Sequence, residues 1–181
     1  MTDMAELPPE PQGWLPDREL AHVRGNLPML YVNAVPVRIN PRGEVTHVGL
    51  LLRADEGMIT RAIVAGRVMY HETVRDALIR NLEKDLGQIA LPQVPLSPTP
   101  FTIAEYFPTR GVTAFHDSRQ HAVALAYVVP VEGTCEPSQN ALDIVWLTPE
   151  EAASDDVAQE MSGGQHLVVR QALAHVGALP A

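Results

Sequence analysis

Hydrophobic positions in the first half of the chain follow the short period of strands and then shift to the four-residue spacing of a helix. From Met29 to Ile39 the residues are strand formers, and a second apolar run spans Val45 to Arg53. The Pro41-Arg42-Gly43 turn between them predicts a hairpin. Pro36 lies inside the first run without an amide to donate, which predicts an edge or bulged strand. A third run, Ile59 to Ala65, leads into a loop opening at Gly66-Arg67. Thr73 and Asp76 fit an N-cap box, in which hydroxyl and carboxylate each satisfy a free backbone amide. Val74, Leu78, Leu82 and Leu86 recur every four residues and Gly87 supplies a left-handed stop, so a helix is predicted between Thr73 and Gly87.

In the second half, Pro92, Pro95, Pro98 and Pro100 predict an extended surface connector. Strands are expected over Phe101 to Phe107 and His121 to Val131, the latter a nearly continuous apolar run typical of a central, doubly covered strand. A short strand, Asp143 to Leu147, precedes Thr148-Pro149-Glu150-Glu151, a helix start with proline at the first helical position. The last amphipathic stretch, His166 to Val176, buries Val169, Leu173 and Val176 and ends at Gly177. Near the amino terminus, Pro8, Pro9, Pro11 and Pro16 predict an extended arm, followed by a short helix from Asp17 to Arg24. The expected organisation is an arm with a short helix over residues 1–27 and a single domain over 28–181.

With 181 residues the chain is long enough for one sizeable core. A formal net charge of -9 weighs against nucleic acid and anionic membranes as partners, since both reward surplus lysine and arginine. An anionic small molecule then needs local basic groups or a metal. Cys135 is the one cysteine, so no internal disulfide forms, and the thiol has no matched base in its Gly-Thr-Cys-Glu-Pro turn. Met1 to Glu6 is acidic and leads into prolines rather than an apolar leader, and no apolar stretch reaches the ~20 residues of a spanning helix. A cytoplasmic protein is expected.

On a helical wheel of about 100° per residue, Asn81 and Asp85 fall in the inward sector of Val74, Leu78 and Leu82. A carboxylate there is costly unless it is paired or binds a cation, and the carboxyl end of a helix disfavours negative charge. Either an arginine or a metal ion answers that requirement. By strand alternation Arg61 and Arg67 share a face, where they grip phosphate, face solvent, or pair with Asp85. His116, Asp117, Arg119 and His121 form a polar cluster ahead of a strand, suited to a base, a metal ligand or substrate contact, or simply to a surface loop. Glu105 is a further candidate base.

Gly66, Glu72, Arg80, Leu82 and Gly87 match, in register, the Nudix box G-x5-E-x7-R-E-U-x-E-E-x-G-U, where U is a bulky apolar residue; Gln88 holds the last apolar position. The segment thus resembles the Nudix superfamily. That resemblance implies an α/β/α sandwich, a mixed β-sheet flanked by helices, whose box helix presents carboxylates to Mg²⁺ or Mn²⁺ to neutralise and polarise a diphosphate. The three helical glutamates of the box correspond here to Asn81, Lys84 and Asp85. Glu83 is no substitute, lying about 160° from Asp85 on the wheel.

One branch, GDP-mannose mannosyl hydrolase, is more similar: Gly66-Arg67-Val68, Glu72, Arg80, Asp85 and Trp146-Leu147-Thr148-Pro149 all fit it. It attacks the sugar carbon with a single metal. Carried over, Asp85 is the metal ligand, with the Ala65 carbonyl and the Asn140 amide as partners, while Arg67 holds the leaving diphosphate. His121 matches a histidine entering a central strand, and the branch's base histidine aligns with Ala141. The chain is also similar to actinobacterial Nudix-related proteins of unassigned function that share Tyr-His-Glu, Lys-Asp-Leu-Gly, Glu-Tyr-Phe-Pro and Gln-His-Ala-Val.

These resemblances imply a hydrolase of a nucleoside diphosphate linked to another group, a nucleotide sugar among the candidates, with one divalent metal. Its catalytic residues are Asp85, Glu72, Arg80 and His121, and its phosphate and substrate contacts Arg61, Arg67, Lys84, His116 and Arg119. The alternative is a Nudix-fold binding or regulatory module that has lost catalysis, in which Lys84 replaces the metal charge and holds an anionic ligand directly. A homodimer fits either reading.

Overall fold

The strand-forming runs assemble into one mixed sheet in a computed structural model that describes residues 13–137 and 141–181. Its strands are β1 (Met29–Ile39), β2 (Val45–Asp55), β3 (Met58–Ala62), β4 (Val64–Arg67), β5 (Thr102–Phe107), β6 (Phe115–His116), β7 (Ala122–Pro130) and β8 (Asp143–Leu147). The order is β3-β2-β1-β7-β5-β6, with β4 pairing β1 and β8 pairing β2. The β1–β7 and β5–β6 pairs are parallel and the others antiparallel. Five helices are described: α1 (Asp17–Asn26), α2 (Val74–Leu86), α3 (Pro149–Ala152), α4 (Asp155–Gln159) and α5 (Gln165–His175).

Alternation along β1 divides the core. Val32 and Ala34 pack with Ala77, Leu78, Leu82 and Leu86 of α2. Val35 and Val37 belong to the opposite cluster, with Val168, Val169 and Leu173 of α5. The sheet is therefore covered on both faces, and the expected α/β/α sandwich is what the chain forms. Each large apolar side chain so buried contributes roughly 1.5–3 kcal/mol. The central position expected for β7 also holds, since it pairs β1 on one side and β5 on the other.

Tertiary context decides one local expectation and corrects two others. Of the edge or bulged strand expected at Pro36, the bulged alternative holds: β1 runs through the sheet, registered with β4 over Tyr31–Ala34 and with β2 from Val37 onward. Pro36 sits where the antiparallel neighbour changes, a place that tolerates a missing donor, and the strand's irregularity falls at Arg38/Ile39. The run from Ile59 is two strands rather than one. β3 registers on β2 and β4 on β1, and between them Ile63 is buried and donates its amide to Gln165 Oε1 at 3.1 Å. Gly66 and Arg67 consequently belong to β4 and not to a loop. Finally, Val176 caps α5 and is 36% exposed, because the buried stripe ends at Leu173. β6 and α4, of two and five residues, are too short to leave a periodic signal.

Candidate functional site

The helix carrying the box residues is fixed at both ends. Thr73 Oγ1 accepts from the Asp76 amide at 3.1 Å and donates its own proton to Asp76 Oδ2 at 2.6 Å, so the carboxylate holds the hydroxyl rather than the Thr73 amide expected from a capping box. Gly87 ends the helix at φ +92°, its amide donating to Glu83 O. The inward face buries Asn81 and Asp85 among Ala77, Leu78, Leu82 and Leu86, as the wheel predicts. α2 lies so close to β4 that a Cβ at Gly66 would come within 1.7 Å of Asn81 Oδ1. Asn81 turns its amide back on its own helix, donating to Ala77 O at 2.8 Å.

Asp85 is 3% exposed. Arg53 Nη2 stands 3.6 Å from its Oδ2, and Lys84 Nζ stands 3.6 Å from its Oδ1. Burial pushes the carboxyl pKa up against the opposing pull of Lys84, Arg53 and a backbone hydrogen bond from Ala65. Oδ2 has no hydrogen-bond partner. A cationic neighbour is indeed present, but it is Arg53 and Lys84, not Arg61 or Arg67.

Glu72 and Arg80 form a brace. Arg80 Nε donates to Glu72 Oε1 at 2.7 Å and Nη2 to Oε2 at 2.9 Å, while Nη2 also reaches Arg67 O at 2.8 Å. Glu72 Oε2 accepts from the Met69 amide as well. The Arg80 hydrogen bonds hold the Glu72 carboxyl below the usual range despite partial burial. Arg67 directs Nη2 to the carbonyl of Gly13 at 3.0 Å.

A cleft of about 710 Å³ is walled by the end of β2, by β3 and β4, and by the loops around Arg110 and Arg119, with Arg53, Arg61, Arg110 and Arg119 in its lining. Arg61 pairs with Glu160, yet its Nη1 and the Nε of Arg53 are buried without a hydrogen-bond partner. The Arg119 guanidinium makes two hydrogen bonds to Asp117, at 3.0 and 2.9 Å, and its backbone amide a third at 3.0 Å. Burial works to raise the Asp117 pKa, but the hydrogen bonds from Arg119 and Gln120 outweigh it and leave it lowered. His116 lines the same cleft and meets Phe107 O through Nδ1 at 2.9 Å. A smaller cavity of about 90 Å³ adjoins it, lined by Tyr31, Asn33, Tyr106 and Gln120 among others. There Asn33 Nδ2 donates to the Tyr106 hydroxyl, whose pKa burial pushes up to about 12.

Of the residues singled out by sequence, Arg61, His116, Arg119 and Ala65 line the cleft, and Asp85 reaches its wall through Arg53 and Ala65. Arg61 and Arg67 do not come together there, because the strand break at Ile63 ends the alternation that would have aligned them. His121 stacks on Phe107 at 4.3 Å between ring centres and stands apart from the cleft lining. Glu105 is exposed. Asn140 lies outside the described residues. Ala141 is buried, and burial raises the Cys135 thiol pKa, in keeping with an idle thiol. Arg53 and Arg110 are the cleft arginines that periodicity does not single out. Arg53, a charge closing an apolar run, leaves a faint signal; Arg110, in a turn, leaves none.

Magnesium and manganese seek several oxygen donors around one point. Among the described residues no three His, Cys, Asp or Glu side chains are placed to share an ion. Asp85 offers one carboxylate flanked by two cations, Asn81 offers one neutral amide oxygen on the side of Gly66 while its Nδ2 is bonded to Ala77 O, and Glu72 is taken by Arg80. This donor set does not fit a resident divalent cation.

A family model described as Domain of unknown function (DUF4916) matches residues 10–178. No curated protein matches the chain. Among solved structures, a possible asymmetric diadenosine tetraphosphate (Ap4A) hydrolase from Jonesia denitrificans is 62% identical with a TM-score of 0.84, over 86% of this chain and 99% of that one. The Nudix domain of Shewanella oneidensis NrtR, complexed with ADP ribose, is 17% identical with a TM-score of 0.58, over 90% of this chain and 99% of that one. A bifunctional NMN adenylyltransferase/ADP ribose pyrophosphatase from Francisella tularensis, complexed with AMP and a manganese ion, is 13% identical with a TM-score of 0.53, over 87% and 44% of the two chains. The two distant structures share this fold.

Proposed function

Because this chain belongs to the family described as a domain of unknown function (DUF4916) and has the Nudix fold, we propose that it binds a nucleoside diphosphate linked to another group in its arginine-lined cleft. The observation behind this reading is the pair of buried, unpartnered guanidinium donors, Arg53 Nε and Arg61 Nη1, in the walls of one cleft. A buried donor left unsatisfied costs about 1–3 kcal/mol, which a phosphate oxygen relieves on binding. The planar guanidinium fork suits that acceptor better than a point charge does. In a protein of net charge -9, the cleft lining carries four arginines against two carboxylates, Asp55 and Asp117, a local positive excess where an anion enters.

The test is thermal stabilisation by ADP-ribose, Ap4A, GDP-mannose and UDP-glucose, each with Mg²⁺ and each with a chelator, since a ligand that prefers the native state raises the melting temperature. At least one compound is expected to stabilise the chain. Arg53→Gln combined with Arg61→Gln is expected to weaken that binding at least tenfold, whereas Glu160→Gln, which removes only the partner of Arg61, keeps it. A chain indifferent to all four compounds, in both conditions, sinks the proposal.

A second reading is that the bound compound is also hydrolysed. It is favoured by Asp85, whose buried Oδ2 lacks a hydrogen-bond partner and stands 3.6 Å from Arg53 of the cleft wall. Chromatography of the incubated panel decides between the readings. Turnover that disappears in Asp85→Asn supports hydrolysis, and binding without turnover leaves a binding or regulatory module. A cytoplasmic location and a homodimer remain part of this proposal, the second testable by sedimentation of the purified chain.

A further inference from the structure

Of the three positions where the box carries acidic residues on the helix, this chain keeps a carboxylate at Asp85 and places a lysine at 84. That carboxylate already has two cationic neighbours, Arg53 and Lys84, each at 3.6 Å. We propose that Arg53 and Lys84 take the place of a divalent cation, so that the phosphorylated ligand is held by protein cations alone. Arg53 is the residue that connects the two halves of the arrangement. Its Nη2 faces Asp85, while its Nε is buried without a partner and its side chain forms part of the cleft wall.

A divalent ion at Asp85, itself buried, would be placed beside two positive charges 3.6 Å from its carboxylate oxygens, which repel it. Among the described residues it would also find few donors. Asn81 offers a single neutral amide oxygen, its Nδ2 being bonded to Ala77 O, Glu72 holds Arg80 with both oxygens, and Glu83 is exposed on the outer side of α2. Compensating Asp85 with side chains instead of metal leaves Arg53 shared between that carboxylate and an incoming phosphate.

The ligand part of this inference rests on the proposed binding function; the metal part is tested without any ligand. Mn²⁺ titrated into the full chain and followed by electron paramagnetic resonance is expected to show no saturable site up to millimolar concentration. The variant Lys84→Glu with Arg53→Gln, confirmed as folded by its melting transition, is expected to gain at least tenfold in Mn²⁺ affinity. One saturable equivalent in the wild-type chain, removed by Asp85→Asn, overturns the proposal. So does a folded double variant that gains no Mn²⁺ binding. For any compound of the panel that stabilises the chain, the shift is expected to survive a chelator, and its loss in chelator counts against metal-free binding without touching the ligand assignment itself.

Discussion

Glu72 and Arg80 meet through two parallel hydrogen bonds, and because Arg80 also holds Arg67 O, one ion pair ties the turn after β4 to the helix that follows. A carboxyl whose folded pKa is lowered contributes stability in full above its ordinary value, and loses it as pH falls through the folded value. Glu72→Gln should therefore cost about 1–2 kcal/mol at neutral pH, a figure kept small by the solvent around Arg80. The gap between wild type and variant is expected to close as the medium is acidified below the ordinary carboxylate range. Urea denaturation at a series of pH values measures this, and a gap constant with pH would show that the charge on Glu72 is irrelevant. The box residues Glu72 and Arg80 thus act on this chain as a brace, whereas Arg53, outside the box, is the arginine that reaches Asp85.

At the scale of elements, the contact between β4 and α2 depends on the bare backbone of Gly66. A methyl group there meets the side chain of Asn81, so Gly66→Ala is expected to destabilise the protein by about 1–3 kcal/mol, as overpacking does elsewhere. Truncating the obstructing residue as well, in Gly66→Ala with Asn81→Ala, should cost less than the sum of the two single changes. Denaturation midpoints of the three variants give the answer, and strict additivity would mean that the two positions do not touch. α2 was legible to within its caps because Thr73, the four-residue apolar rhythm and Gly87 lie on one continuous segment. The β3–β4 division was not, since Ile63 breaks the run only because β2 and β1 receive its two halves.

Across the whole molecule, an acidic chain gathers Arg53, Arg61, Arg110 and Arg119 from β2, β3 and two loops into one cleft. Attraction of this kind is screened by salt, over a Debye length of about 10 Å at 0.1 M. Affinity for a stabilising panel compound is accordingly expected to fall several-fold between low and high ionic strength, measured calorimetrically, and salt-independent affinity would contradict an electrostatic grip. The sequence by itself determined most of the strands, the capped helix and the inward turn of Asp85. Those features follow from periodicity, capping and turn chemistry, which are properties of contiguous residues. The two-faced sandwich was what the resemblance to the Nudix box implied. Only the tertiary structure decided that Pro36 sits mid-sheet, that Arg67 answers to Gly13, and that Arg53 and Lys84 share Asp85. Strand register and the identity of each neighbour set those meetings, and a pattern running along the chain does not encode which distant stretch will lie beside it.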